Sequence, residues 1–353
     1  MSISKSIQEG DFFSDAILNW YNCNARHLPW RVNQLPGISK EKIDPYLIWV
    51  SEVMLQQTTV AAVIPYFNLF IKTWPTIFDL ARADEESVYA TWAGLGYYSR
   101  AKNLVQCAKI IVAKHGGRFP KSARELKLLP GIGIYTSAAL AAIAFQEVAT
   151  VVDANVERII SRVFAIDKPL VEVKKEIFSI AKRLTSKRRP GDYAQGMMDL
   201  GATICKPRKP MCFKCPIQEI CLAHGRKITD VIPKKAKRQA KIIRYGSAYV
   251  ALKDSSVILV KRPPKGLLSN MLCPPTFGWF GNETEKGPPF QSNWRQLPQT
   301  LTHSFTHFDL HLTVYRATVN DVPVDFKAFK LSSDLTHSLP TLSKKILEYA
   351  LPG

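Results

Sequence analysis

Acidic side chains are scarce in this chain: 29 Asp and Glu stand against 48 Lys and Arg, leaving a formal charge of +19 and a pI near 9.6. A basic surplus of that size calls for a polyanionic partner. Its binding would weaken with salt, by a slope of roughly 0.9 per duplex phosphate neutralised. An anionic membrane surface is set aside, because the sequence holds no strongly basic amphipathic helix with an aromatic-rich apolar face. Long hydrophobic runs are missing too. The longest small-apolar stretch, Ala138 to Phe145, is far too short to span a bilayer. Met1 to Gly10 hold no apolar signal-peptide core, and the expected setting is a reducing cytoplasm. No internal repeat is found, and 353 residues suit about two domains.

A second C-x2-C hook is also lacking, which gives meaning to the one that is present. Cys205, Cys212, Cys215 and Cys221 follow the spacing C-x6-C-x2-C-x5-C, interleaved with Lys206, Arg208, Lys209 and Lys214. Zinc ribbons usually use two short hooks far apart in sequence. Here one loop wraps around a larger object, as a [4Fe–4S] cube requires, so iron–sulfur is preferred to zinc. Two structural disulfides are the alternative, and nothing else in the chain suits them. The remaining Cys23, Cys107 and Cys273 are expected to be buried thiols.

Apolar residues recur at helical spacing in Phe12, Phe13, Ile17, Trp20 and Tyr21, and again in Val60, Val63, Ile64, Phe67, Phe70 and Ile71. Residues 11 to about 224 therefore read as mostly helical, punctuated by Pro and Gly. Residues 226–244, with Lys234, Lys235, Lys237, Arg238 and Lys241, read as a basic linker. Beyond it Tyr249–Leu252, Val257–Val260 and Leu310–Tyr315 read as short strands, and 342–351 as a closing helix.

Four segments carry chemistry. Leu129-Pro130-Gly131-Ile132-Gly133-Ile134-Tyr135-Thr136 is a tight turn leading into a helix from near Thr136, the pattern of a helix–hairpin–helix. Its N–H groups suit a DNA phosphate; a plain turn between packed helices is the alternative. Glu52 lies on a helix nearly free of other charge, on one face with Ile48 and Gln56. Partial desolvation there would keep it protonated, as a general acid needs, although alone it could be an exposed side chain. Asp153 could cap the helix that starts at Asn155, which stabilises an anion. One carboxyl kept protonated and one kept ionised is the pair that breaks a glycosidic bond. Gly94-Leu95-Gly96-Tyr97-Tyr98, with Gln56 and Gln57, could wedge into a base stack; the tyrosines could equally be core aromatics. His303, His307 and His311 recur every four residues, but the alternation of Thr306, Phe308, Leu310 and Leu312 reads as strand, so a metal site there is rejected.

Together with Leu28-Pro29-Trp30-Arg31, the Ser51–Thr58 run and Ala194-Gln195-Gly196-Met197-Met198-Asp199-Leu200-Gly201-Ala202, these motifs closely resemble the MutY family of adenine DNA glycosylases, within the endonuclease III superfamily. The likeness runs from about Arg26 to Cys221, and more weakly to about residue 316. It implies a mainly α N-terminal helix–hairpin–helix glycosylase with a [4Fe–4S] cluster loop, then an α+β Nudix-like C-terminal domain. The implied boundaries are 1–225 for the catalytic domain with its loop at 205–221, 226–244 for the linker, and 245–353 for 8-oxoguanine recognition. The implied activity is base excision repair: removal of adenine mispaired with 8-oxoguanine or guanine in double-stranded DNA. The protein is expected to be a monomer without membrane contact, cytoplasmic, bacterial in type and held on the nucleoid by DNA.

The resemblance also assigns roles. Glu52 would protonate adenine N7, and Asp153 would stabilise the sugar cation or attack it, supported by Asn155 and Tyr135. Arg26, Leu28, Trp30 and Arg31 would line the adenine pocket. Gln56, Gln57, Thr58, Tyr97, Gly131, Gly133, Thr306 and His307 would contact DNA, with Gln57 and Tyr97 beside 8-oxoguanine. Endonuclease III-like enzymes carry a lysine where Tyr135 stands, and its amine permits strand cleavage. A tyrosine cannot form that Schiff base, so base release alone is expected. The rivals are a pyrimidine-directed glycosylase with lyase activity and a non-catalytic, cluster-bearing DNA-binding or redox-sensing protein. Arg262-Pro263-Pro264-Lys265-Gly266-Leu267 and Phe305-Thr306-His307 carry the Nudix likeness, without the Glu-rich box that would hold Mg2+. The departures are Ala154 for a usual glycine, Thr306 for a usual serine, and Leu268 and Met271 for small or aromatic residues.

Overall fold

A computed structural model describes residues 10–31, 43–234, 240–263, 266–279 and 287–351. By its contacts the chain forms two compact units, Met1–Ala83 with Asn103–Lys237, and Asp84–Lys102 with Arg238–Gly353. The second unit therefore draws in a segment, 84–102, that the sequence reading left inside the first.

The first unit is helical. Gly10–Asn24, Pro45–Leu55, Val60–Thr73 and Ile77–Arg82 precede the excursion. Most of Ser99–His115, then Ala123–Leu126, Ile134–Phe145, Ala154–Val163, Leu170–Leu184, Pro190–Thr203 and Leu222–Gly225 complete it. Local chemistry sets the starts. Asp44 caps Pro45–Leu55 by accepting from the Tyr46 amide at 2.9 Å, with Pro45 already at helical φ. Thr76 and Asp79 satisfy each other's amides as a capping box. Two helices, Pro45–Leu55 and Ile134–Phe145, are apolar almost all round and lie in the middle of the unit. The latter begins at Ile134, with Gly133 as its cap, rather than near Thr136. Ala154–Val163 and Leu170–Leu184 are amphipathic, and their apolar sides join Phe13, Ile17, Met197 and Leu200 in one core.

The expected linker is half structured. Residues 226–234 pack on the helical unit, with Ile232 buried against Ala165 and Ala223, and residues 242–244 already belong to a strand. Apolar Ile228 and Ile232 override the basic composition. Lys235, Lys237 and Arg238 lie outside the described residues, as do Pro264 and Lys265. Cys107 and Cys273 are buried thiols as expected, but Cys23 is exposed near the end of its helix.

The second unit is a mixed sheet: β1 (Ile242–Lys253), β2 (Ser256–Lys261), β3 (Leu272–Cys273), β4 (Thr276–Phe277), β5 (Arg295–Gln296), β6 (Leu301–Ser304), β7 (Phe308–Thr318) and β8 (Lys327–Lys330). Its spine runs β3-β2-β1-β7-β5. β1 and β7 are parallel over eleven pairs, from Ile242↔Phe308 to Leu252↔Thr318. Inward residues of both, such as Val250, Leu310, Leu312 and Val314, meet Leu342, Ile346 and Leu347 of helix Thr341–Ala350. His303 lies in β6, His311 in β7 and His307 in the turn between them. Among the described residues no His, Cys, Asp or Glu group is arranged around a single metal ion.

Candidate active site

A cleft of about 360 Å³ opens in the helical unit, and Glu52, Tyr135, Asp153 and Asn155 all line it. Glu52 sits on Pro45–Leu55 with only 5% of its surface exposed, and its Oε2 atom has no hydrogen-bond partner. Burial pushes its pKa up to about 7; the Tyr135 hydroxyl and the Arg31 guanidinium pull against that rise, and Asp153 adds to it. Glu52 is therefore not the solvated side chain its sequence alone allowed. Tyr135 projects from the first turn of Ile134–Phe145, and its hydroxyl lies 3.2 Å from Met198 Sδ, to which it donates. Burial, then the nearby Glu52 and Asp153, hold the phenol's pKa well above normal.

Asp153 caps Ala154–Val163, so its backbone, in extended conformation, turns the carboxylate back onto the helix start. Oδ1 accepts from the Val156 amide at 2.8 Å and Oδ2 from Asn155 Nδ2 at 2.7 Å. Asn155 is fixed in turn. Its Oδ1 accepts from Arg158 Nη2 at 2.8 Å, and Arg158 also reaches the carbonyls of Gly201 and Cys205 at 2.8 and 2.7 Å. A Cβ at Gly201 would come within 2.4 Å of Asn155 Cβ, so only glycine admits the asparagine here. Ala154, the expected glycine, is exposed and lines the cleft at the first helical position.

Arg26, Leu28, Trp30 and Arg31 form one wall of the same cleft. What holds them is Asp199, fully buried on Pro190–Thr203. Arg31 grips its two oxygens at 2.6 and 3.0 Å, while Arg26 Nε and the Arg26 amide reach them at 2.6 and 3.0 Å. Trp30 is buried edge-on to Phe67. Gln195 and Met198, one and two turns along from Gly191, complete the lining. The sequence alone assigns no role to Gln195, Met198, Asp199 or Arg158. An acid and an amide on a helix of small apolar residues were the available signal.

Gln56, Gln57 and Thr58 also line the cleft, just past the end of their helix. Gln57 has φ +58, a strained conformation for a glutamine. Gly131 and Gly133 lie outside the cleft. Gly131 has φ +76 and no room for a Cβ against Asn103, whereas Gly133 faces open space at the start of its helix. That combination leaves amide N–H groups approachable by an anion. Tyr97, Thr306 and His307 belong to the second unit. They line a pocket of about 500 Å³ there with Gly96 and Leu268, and the Tyr97 hydroxyl is 3.2 Å from Thr306 Oγ1. Tyr97 has φ +48 and is 45% exposed, so it is not a core aromatic. Met271 is buried.

Cys205, Cys212, Cys215 and Cys221 are unpaired thiols lining one small, mostly apolar cavity. Burial raises the pKa of Cys215 to about 12 and those of Cys212 and Cys221 in the same direction. Arg162, 2% exposed, places Nη1 3.3 Å from Cys205 Sγ. A buried guanidinium needs a counter-charge, and among the described residues no carboxylate pairs with it. Metal-bound thiolates would supply one, so the donor set fits a sulfur-ligated centre.

Comparison with known proteins agrees with this geometry. Residues 50–186 match the profile of the HhH-GPD superfamily of base excision DNA repair proteins, and residues 247–349 match a NUDIX domain. Adenine DNA glycosylase of Homo sapiens is 32% identical, covering 97% of this chain and 74% of its own length. That of Buchnera aphidicola from Acyrthosiphon pisum is also 32% identical, covering 95% and 97%. The chain belongs to the adenine DNA glycosylase family, MutY. As a member of that family it is a base excision repair hydrolase with DNA as partner. A thermostable thymine-DNA glycosylase structure superposes with TM-score 0.55 at 28% identity, covering 64% of this chain and all of that one. An endonuclease III–DNA complex at 22% identity and TM-score 0.50 shares the helical fold. Helices supply Glu52, Tyr135, Asn155, Gln195 and Met198 to the cleft, and loops and turns supply Arg26, Leu28, Trp30, Arg31, Gln57 and Thr58. Among the described residues no helix is long and apolar enough to cross a membrane.

Proposed function

We propose that this glycosylase removes adenine paired with 8-oxoguanine, or with guanine, and leaves an intact strand with an abasic site. The observation that carries the reading is Glu52, buried beside a cleft of about 360 Å³ with its pKa at about 7 and one oxygen unpartnered. At neutral pH a substantial fraction would hold the proton that adenine N7 needs. Proton transfer makes adenine a neutral leaving group, and the C1′–N9 electron pair departs with it. Asp153, held by Val156 and Asn155, faces the sugar cation as the stabilising or attacking anion. Water then completes the hydrolysis at C1′. Arg26, Leu28, Trp30 and Arg31, with the Gln195 amide, would enclose the extruded purine and read its polar edge. Without an amine at position 135, no Schiff base forms at this site.

Gln57 and Thr58 by the cleft, the Gly131–Gly133 turn, and Tyr97, Thr306 and His307 would divide contact with the DNA. Thr306 and Tyr97 would sense 8-oxoguanine from the second unit. The four cysteines would hold a [4Fe–4S] cluster. When bound, it would cross-link the loop that presents exposed Lys206, Arg208, Lys209 and Lys214 to DNA phosphates. The monomer expected from sequence suffices for every group named.

The test is a duplex carrying adenine opposite 8-oxoguanine, analysed with and without alkali. Cleavage only after alkali supports monofunctional excision. Cleavage without alkali would show lyase chemistry by another amine, and no cleavage with DNA still bound would overturn the substrate assignment.

A further inference from the structure

Arg162 does more than offset charge. Its guanidinium lies between two stretches of chain that are distant in sequence. On one side Nη1 donates to Cys205 Sγ at 3.3 Å and to the Lys206 carbonyl at 2.7 Å, and Nη2 reaches the Pro207 carbonyl at 3.3 Å. On the other, Nε donates to the Ile232 carbonyl at 2.9 Å. Ile232 belongs to the strap 228–234 that follows the cysteine loop. At its far end the strap is also held at Lys234, whose carbonyl accepts from the Leu170 amide at 3.4 Å in a parallel bridge with Pro169. Ile232 shares a small cluster with buried Ala165 and Ala223, and Ile228 of the strap and Cys221 and Leu222 of the loop pack against it. The Ile228 amide bonds to the Ala223 carbonyl at 2.9 Å, and the Lys234–Asp167 ion pair is solvent-exposed.

We infer that Arg162 is a positioning residue that couples metal retention in the cysteine loop to docking of the strap 228–234. The inference rests on the sulfur-ligated reading of the four cysteines. With thiolates bound to metal, the guanidinium has its counter-charge and a fixed carbonyl framework, and it presents Nε to Ile232. With the metal gone, the loop carrying Cys205, Lys206 and Pro207 is free to move, and Arg162 loses the framework that aims Nε at the Ile232 carbonyl. The strap is also where the chain leaves the helical unit. Such coupling must be reciprocal: if metal fastens the strap, the strap must help retain the metal.

Two variants of the full-length, metal-loaded protein test both directions, with elemental iron measured throughout. In Arg162→Gln, amide hydrogen exchange at Ile228 and Val231 should speed up about tenfold, the loss expected for one hydrogen bond to a charged donor. Exchange in helix Thr341–Ala350 should stay unchanged. In Ile232→Ala, whose side chain is no ligand, iron should pass to a chelator several-fold faster than from wild type. If Arg162→Gln fails to fold, the Ile232→Ala arm decides alone. Iron-loaded proteins in which iron release ignores the strap variant would overturn the coupling and leave the cluster reading standing. An iron-free wild type would end both, and elemental analysis tells these two failures apart.

Discussion

The two candidate sites differ in how their side chains are held. In the helical cleft every assigned carboxyl has its surroundings fixed by buried groups: Asp153 by Asn155 and Arg158, the pocket wall by Asp199, and Glu52 by its own burial. In the sheet unit Tyr97, Thr306 and His307 are exposed on loops and turns, with one hydroxyl–hydroxyl contact between them. Proton transfer needs a group held within hydrogen-bond reach in a dry setting, whereas recognition of a base edge tolerates adjustment on binding. The difference teaches that the proposed chemistry falls on side chains held by buried partners, and the proposed sensing on exposed ones.

The strongest way to break that contrast is Glu52→Gln, which should cut single-turnover excision by roughly 10²–10⁴-fold while duplex binding stays intact. Surviving excision would remove Glu52 from the acid's role. Next comes Asp199→Asn. It leaves the buried Arg31 and the partly exposed Arg26 without their carboxylate, and urea denaturation should show a loss of about 3 kcal/mol confined to the helical unit. A shift under 1 kcal/mol would mean that the clamp is not what fixes the wall.

The pH profile sharpens the point. The competent form of Glu52 is the acid, so excision should be level below pH 6 and fall about tenfold per unit well above its pKa of about 7. Arg31 lowers that pKa, so Arg31→Gln should move the falling limb to higher pH; a limb that stays put would separate Arg31 from the acid. Smallest should be Tyr97→Phe. Losing one exposed hydroxyl contact costs about 0.5–1 kcal/mol, a two- to fivefold loss of preference for 8-oxoguanine over guanine with excision chemistry unchanged. An equal loss with both partners would place Tyr97 outside the sensing role.

Legibility in the sequence followed locality. The Gly131–Gly133 turn, the Asp153 cap and the four-cysteine spacing are statements about residues within twenty positions of each other, and each could be read directly. Helices such as Val60–Thr73 and the strands β1, β2 and β7 showed through periodicity, with their ends misjudged where caps or pairing extended them. Asp199 was not legible as a functional residue, because its partners Arg26 and Arg31 lie about 170 positions away. The strap was misread because a basic composition outweighed two isoleucines whose burial depends on Ala165 and Ala223. Cys23 was expected inside, but its helix turns that position outward.

The sequence by itself determined the polyanionic partner, the spacing of four cysteines, the candidate acid and anion as residue types, and the absence of an amine at position 135. Those properties belong to side-chain chemistry and short spacings, which survive without a fold. Only the tertiary structure decided that Glu52 is dry enough to hold a proton at pH 7, that Asp199 clamps one wall of the cleft, and that residues 84–102 join the sheet unit. Desolvation, buried ion pairing and domain membership all depend on which distant residues exclude water from one another, and no local pattern encodes that.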